Sequence, residues 1–112
     1  MSHYLVVISV AGDESVAETI RVLADPTRAA ILEALAAGPA CTCHLVDDLG
    51  LTQSNVSNHL RALRQAGLVA REPHGRYTYY RLLPDALAAT AAHLAELAAK
   101  ATANADNRRE CP

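Results

Sequence analysis

Aromatic side chains are scarce in this sequence: among its 112 residues there is no Trp, no Phe and only four Tyr. A core must therefore be built from aliphatic residues, and Ala and Leu dominate a composition that is 51% hydrophobic. That balance predicts one mainly helical domain, packed through small residues and suited to helix-helix pairing with a second copy of itself. Long apolar runs are also missing. Tyr4 to Ala11 (YLVVISVA) is too short to span a bilayer and follows no Lys or Arg, so neither a membrane anchor nor a secretory signal is expected, and the reading is cytoplasmic. No Gly-rich phosphate loop, no HExxH and no nucleophile beside an evident base occurs, which argues against an enzyme. Cysteine is limited to three, an odd number that in a reducing compartment points to metal or redox chemistry rather than a disulfide framework. A formal net charge of -2 excludes a polycation that coats nucleic acid indiscriminately.

What is present is concentrated in one stretch, Leu51 to Gly67 (LTQSNVSNHLRALRQAG). Thr52 is a good N-cap, and Val56, Leu60, Leu63 and Leu68 recur at helical spacing. The other face carries Gln53, Ser54, Asn55, Ser57, Asn58, His59, Arg61 and Arg64, with no acid among them. Solvated helices usually mix Glu with Lys. A face of amides, hydroxyls and guanidinium groups suits a DNA major groove instead. Residues 51–81 hold Arg61, Arg64, Arg71, Arg76 and Arg81 against Glu72 alone, while acids gather at Asp13, Glu14, Glu18, Asp47 and Asp48. A basic half on an acidic chain is the footprint of a phosphate-docking face.

Around that stretch the elements fall in order. Residues 1–12 read as a short strand or an N-terminal arm. A helix capped by Asp13 runs through Val16, Ile20 and Leu23; Asp25 and Pro26 then cap and open a second, which stops at Gly38-Pro39. A short helix from Thr42 to Leu49 ends at Gly50, and the turn Gly50-Leu51-Thr52 joins it to the stretch above as a helix-turn-helix. Leu68–Arg71 and Tyr77–Leu82 read as strands with Pro73-His74-Gly75 as the hairpin tip. Pro84 opens a last helix bearing Leu87, Ala91, Leu94 and Leu97, and from residue 104 the chain turns polar, which predicts a disordered tail carrying Cys111. The expected fold is mainly α with a small β-hairpin: a winged helix-turn-helix over residues 13–103, flanked by N- and C-terminal dimerisation helices. Gln53, Ser54, Ser57, Asn58, His59 and Arg61 are the DNA-binding candidates on the helix, with Ser57, His59 and Arg61 expected to carry specificity and a helix-packing role as the alternative for His59. Arg64, Arg71 and Arg76 are those for phosphate, and His74 and Arg76 near the wing tip are available for the backbone or the adjacent minor groove.

Four segments together make the chain resemble the ArsR/SmtB family of metal- and metalloid-responsive repressors. They are Leu23-Ala24-Asp25-Pro26-Thr27-Arg28, Cys41-Thr42-Cys43-His44-Leu45, Ser54-Asn55-Val56-Ser57-Asn58-His59-Leu60 with Gly67-Leu68-Val69, and Gly75-Arg76 with Tyr79-Tyr80-Arg81-Leu82. The resemblance spans about residues 16–100. It implies a homodimer, paired through its first and last helices, that sits on a twofold-symmetric operator of double-stranded DNA and leaves when an effector binds. Cys41-x-Cys43 falls where the arsenic- and cadmium-sensing branch has its Cys-x-Cys, which implies a thiophilic effector.

Residues two apart on an ideal helix point about 200° apart. Cys41 and Cys43 therefore meet one ion only where Cys41 stands outside the helix or the first turn unwinds. Two soft thiolates favour As(III), Sb(III), Cd(II), Pb(II) or Zn(II) over hard cations. As(III), the first expectation, prefers three thiolates. Val46 stands where family arsenic sensors often have the third cysteine, leaving Cys111, whose eight-residue lead from Ala103 reaches roughly 26 Å when extended. Arg108 and Arg109 beside it favour the thiolate, although an incidental tail cysteine fits as well. A second set is Cys41, Cys43 and His44 closed by Asp47 or Asp48 around Zn(II) or Cd(II), with a surface role for His44 as the plain alternative. A Cys41–Cys43 disulfide would be strained by so short a loop. The zinc site that family members carry on the last helix is half absent: His93 and Glu96 are present, but Tyr80 and Leu82 occupy the places of its other pair.

Overall fold

The computed structural model describes residues 14–112. The expected arm over residues 1–12 and the Asp13 cap lie outside the described residues. Five helices and three strands follow: α1 (residues 14–23), α2 (Pro26–Ala36), β1 (Ala40–Cys41), α3 (Thr42–Leu49), α4 (Gln53–Gln65), β2 (Val69–His74), β3 (Tyr77–Leu82) and α5 (Pro84–Ala103). None of these helices is long and apolar enough to cross a membrane.

The helix boundaries have local causes. Asp25 has extended backbone, and its Oδ1 accepts from the N–H groups of Thr27 (2.8 Å) and Arg28 (3.2 Å), with Pro26 at the first helical position. Gly50 stops α3 in the left-handed conformation (φ 66°), a backbone that a side chain would strain, and its N–H reaches the Val46 carbonyl at 2.9 Å. Thr52 caps α4 by accepting from the Asn55 N–H at 3.1 Å.

α2, α3, α4 and the base of the hairpin share one core. Ile31, Leu45, Val56, Leu63 and Leu68 have no exposed surface, and Leu32, Leu35, Leu60 and Val69 close around them. The apolar stripe expected for α4 is thus the buried one. By contrast, α5 buries only Thr90, and its leucines Leu94 and Leu97 are about half exposed (48% and 50%).

The sheet corrects the hairpin expectation in two ways. It is three-stranded and antiparallel in the order β1-β3-β2, with Ala40 opposite Tyr80 and Cys41 opposite Tyr79. The wing is also longer than expected: β2 runs through Pro73 and His74, His74 pairs with Tyr77, and Gly75-Arg76 forms a two-residue tip. Gly75 has φ 62° at the first central position, where a tight hairpin turn needs a positive φ. Pro73 is tolerated because β2 is an edge strand. Next to the hydrogen-bonded closing pair, its ring nitrogen faces away from β3 and no ladder bond is lost. Beyond α5, Asn104–Asp106 form a turn and the remaining tail has no regular structure.

Candidate functional site

Cys41 belongs to two elements at once. It is the last residue of β1 and the N-cap of α3, with extended backbone (φ -90°, ψ 167°). Of the two ways in which Cys41 and Cys43 could converge, the structure therefore has the first: Cys41 stands outside an intact helix. Its Sγ, that of Cys43 and a ring nitrogen of His44 all lie within 4.8 Å of one another, a spacing that one ion could bridge. Cys41 is buried, whereas Cys43 and His44 are exposed.

His44 is more than a surface residue. Its Nδ1 accepts from the Cys41 backbone N–H at 3.1 Å and lies 3.3 Å from the Cys41 Sγ, so the ring closes the start of α3 as a third-position cap residue. Accepting at Nδ1 places the ring proton on Nε2 in the neutral form. Hydrogen bonding from the Cys43 thiol holds the Cys41 thiol below its ordinary range, against desolvation and aided by the His44 and Cys43 backbone N–H groups. The same bond, with some desolvation, pushes Cys43 up. Two sulfurs and an imidazole suit a soft or borderline ion such as Zn(II) or Cd(II), or As(III) through the sulfurs alone. Among the described residues no Asp or Glu joins this cluster, so Asp47 and Asp48 stand apart from it, and so does Cys111, exposed in the tail.

The DNA-facing candidates divide by exposure. Gln53, Ser54, Asn58 and Arg61 are exposed along α4, Ser57 and Arg64 are half-buried at its flank, and Arg71, His74 and Arg76 are exposed on the wing. Arg61 donates to Asn58 Oδ1 at 3.2 Å, which orients both across one turn. His59 is half-buried, and its Nδ1 accepts from Arg28 Nε at 3.4 Å, tying α4 to the first turn of α2. Among the described residues the ion pairs are Arg21–Glu18 and Arg81–Glu72. The second cancels the one acid of the basic half and leaves Arg61, Arg64, Arg71 and Arg76 without carboxylate partners.

Two features escaped the sequence. Tyr79 has its backbone opposite Cys41, while its ring lies 6.2 Å from that of His44 and 5.7 Å, edge-on, from that of His74. It therefore connects the cysteine cluster to the wing. The second is an open groove of about 270 Å³ lined by Cys41, Cys43, Gln53, Arg76, Tyr77 and Thr78. Both depend on β1 pairing with β3, and a two-residue strand carries no periodic pattern to read.

The profile of the family described as "Bacterial regulatory protein, arsR family" matches residues 25–71, from the α2 cap into the first half of β2. The HTH-type transcriptional regulator CmtR of Mycobacterium tuberculosis is 44% identical over 85 residues, covering 76% of this chain and 72% of CmtR. The arsenic resistance transcriptional regulator ArsR1 of Pseudomonas putida is 42% identical over 64 residues, 56% of this chain and 50% of ArsR1. A homodimeric winged helix-turn-helix DNA-binding domain from Mycobacterium bovis, solved in solution, superposes with a TM-score of 0.67 at 26% identity, covering 91% of this chain and 94% of that one. The helix-turn-helix, the basic wing and these relatives agree, and the chain belongs to the arsR family of bacterial transcription regulators, DNA-binding proteins rather than enzymes.

Proposed function

We propose that the protein is a homodimeric, cytoplasmic repressor that releases its operator when a thiophilic ion binds Cys41 and Cys43, with As(III) as the first candidate. One observation carries the effector reading: Cys41, extended at the helix cap, has its sulfur within 4.8 Å of the Cys43 sulfur and of a His44 nitrogen. As(III) would take both thiolates and leave the His44 cap on the Cys41 N–H in place, with Cys111, from either subunit, as the third thiolate. The similarity to an arsenic resistance regulator supports this order of candidates. A second reading is favoured by the 3.3 Å approach of His44 Nδ1 to Cys41 Sγ: a Zn(II) or Cd(II) response that uses the imidazole and gives up the cap. Pb(II) and Sb(III) fall with the thiolate-only case.

Gln53, Ser54, Ser57, Asn58, His59 and Arg61 are the proposed readers of base edges, with Arg64, Arg71, His74 and Arg76 on phosphate. The half-exposed Leu94 and Leu97 support a dimer in which a second copy covers α5.

The test is operator release by the purified protein, measured across As(III), Sb(III), Cd(II), Pb(II) and Zn(II). The same titrations are run on Cys41→Ser/Cys43→Ser and on Cys111→Ser. Release that survives the double substitution would end the effector reading; release that survives only Cys111→Ser would remove the tail cysteine from the ligand set.

A further inference from the structure

The groove in front of α3 is lined by groups of two different kinds. Cys41 and Cys43 bring sulfur to it; Arg76, Tyr77 and Thr78 of the wing and Gln53 of the recognition helix bring a guanidinium and neutral polar groups. We infer that a backbone phosphate of the operator and the effector occupy this same groove, so that each excludes the other directly. The inference rests on the reading of Cys41 and Cys43 as the effector site.

Its phosphate half follows from charge. No Asp or Glu lines the groove, and Arg76 has no carboxylate partner among the described residues. Gln53 at the first position of α4 offers an amide donor, and Thr78 on the central strand offers a hydroxyl. A guanidinium with neutral donors around it, at the junction of wing and recognition helix, is the composition of a phosphodiester contact.

Its effector half follows from access. Cys41 is buried and Cys43 exposed, so the sulfur pair opens outward on the Cys43 side, into the groove. An ion held there, with any hydroxide or water completing its shell, needs the space that a phosphate drawn to Arg76 would fill. The packing of α3 against α4 offers a lever that acts at a distance; exclusion in the groove acts at contact, and both lower operator affinity. By linkage, whatever the effector does to DNA affinity, DNA must do to effector affinity.

The experiment uses the full chain with Cys111→Ser, in which Cys43 is the exposed thiol. Alkylation of Cys43 by iodoacetamide is followed by mass spectrometry, free and with saturating operator duplex. Shared occupancy predicts a rate at least about tenfold lower in the complex. An unchanged rate overturns the inference. A second series sets occlusion apart from a remote effect by capping Cys43 with adducts of rising size, from a methylthio group to a maleimide. Operator affinity should fall progressively, by more than about tenfold for the largest; equal affinities along the series overturn the inference as well. Ion-driven release with an unprotected Cys43 would sink the shared groove and leave the effector reading standing. Protection of Cys43 where no thiophilic ion releases even the unsubstituted protein, with Cys111 in place, would keep the phosphate contact and overturn the effector reading.

Discussion

His44→Gln separates the two roles of this side chain. Gln at the third helical position can still reach back to the Cys41 N–H, as the capping-box pattern allows, but it offers no imidazole nitrogen. The net value of the existing bond is about 0.5–1 kcal/mol, toward the low end because His44 is exposed, and Gln should recover most of it. The midpoint of denaturant unfolding should therefore shift little, whereas His44→Ala should lose the whole cap. For the ion the reckoning differs. Removing one of three donors from a Cys41, Cys43 and His44 set should weaken Cd(II) or Zn(II) by about a hundredfold, near 3 kcal/mol. As(III) bound through thiolates alone should change by no more than about threefold. Chelator-competition titrations measure the first, and operator release followed by fluorescence anisotropy measures both. Equal losses for As(III) and Cd(II) would refute this division of labour, and so would an unchanged Cd(II) affinity.

Other consequences can be checked in parallel. Arg76→Ala should weaken binding to all duplexes alike and lower the salt slope by about one, read from anisotropy at several salt concentrations; a loss confined to one operator base would contradict a phosphate role. Leu94→Glu with Leu97→Glu should shift sedimentation toward the monomer and weaken operator binding, with helix content kept, because the leucines are half exposed in the single chain. Affinity for Cd(II) or Zn(II) should rise with pH, whereas As(III), arriving as As(OH)3 and taking the thiol protons away as water, should show no such slope. Cys41 ionises more readily than an ordinary thiol and Cys43 less readily, so binding displaces the Cys43 proton at every pH below its raised pKa. Each proton displaced by Cd(II) or Zn(II) adds about tenfold affinity per pH unit, and a slope of zero for those ions across neutral pH would mean that Cys43 is not their ligand.

The helix ends were legible because their signals are local. Asp25-Pro26, Gly50 and Thr52 each act on the next few residues, and each caps or stops a helix where the pattern put it. The α4 stripe was legible because Val56, Leu60 and Leu63 repeat at the helical period on a face whose opposite side is wholly polar. The wing was read in part. Pro73 suggested a turn, but an edge strand tolerates a proline whose nitrogen points outward, and the turn moved to Gly75-Arg76. The cysteine cluster resisted for a different reason. Whether Cys41 lies inside or outside α3 depends on its pairing with Tyr79, nearly forty positions away, and His44 gains its meaning only from where that pairing leaves the Cys41 N–H.

That pairing also decides between two modes of release. Two thiolates bound about 2.3 Å from a tetrahedral ion stand about 3.8 Å apart, and a pyramidal As(III) holds them at a similar or slightly shorter spacing. The sulfurs of Cys41 and Cys43 are already within 4.8 Å, so the closure required is on the order of 1 Å or less. Unwinding the first turn of α3 is unnecessary for chelation and would forfeit the Cys41–His44 cap. Cys41 is held in the sheet by β3, so the adjustment falls on α3. Leu45, with no exposed surface, carries α3 into the core that also holds Val56 and Leu60 of the recognition helix. A close-packed core does not absorb such a shift locally; it passes it on as a small rigid displacement of α4. The consequence is measurable by amide hydrogen exchange. On As(III) binding, the α3 amides should keep or gain protection while operator affinity falls. Loss of protection across Thr42–Leu45 would show that the turn unwinds and that the preformed geometry is not the one that binds.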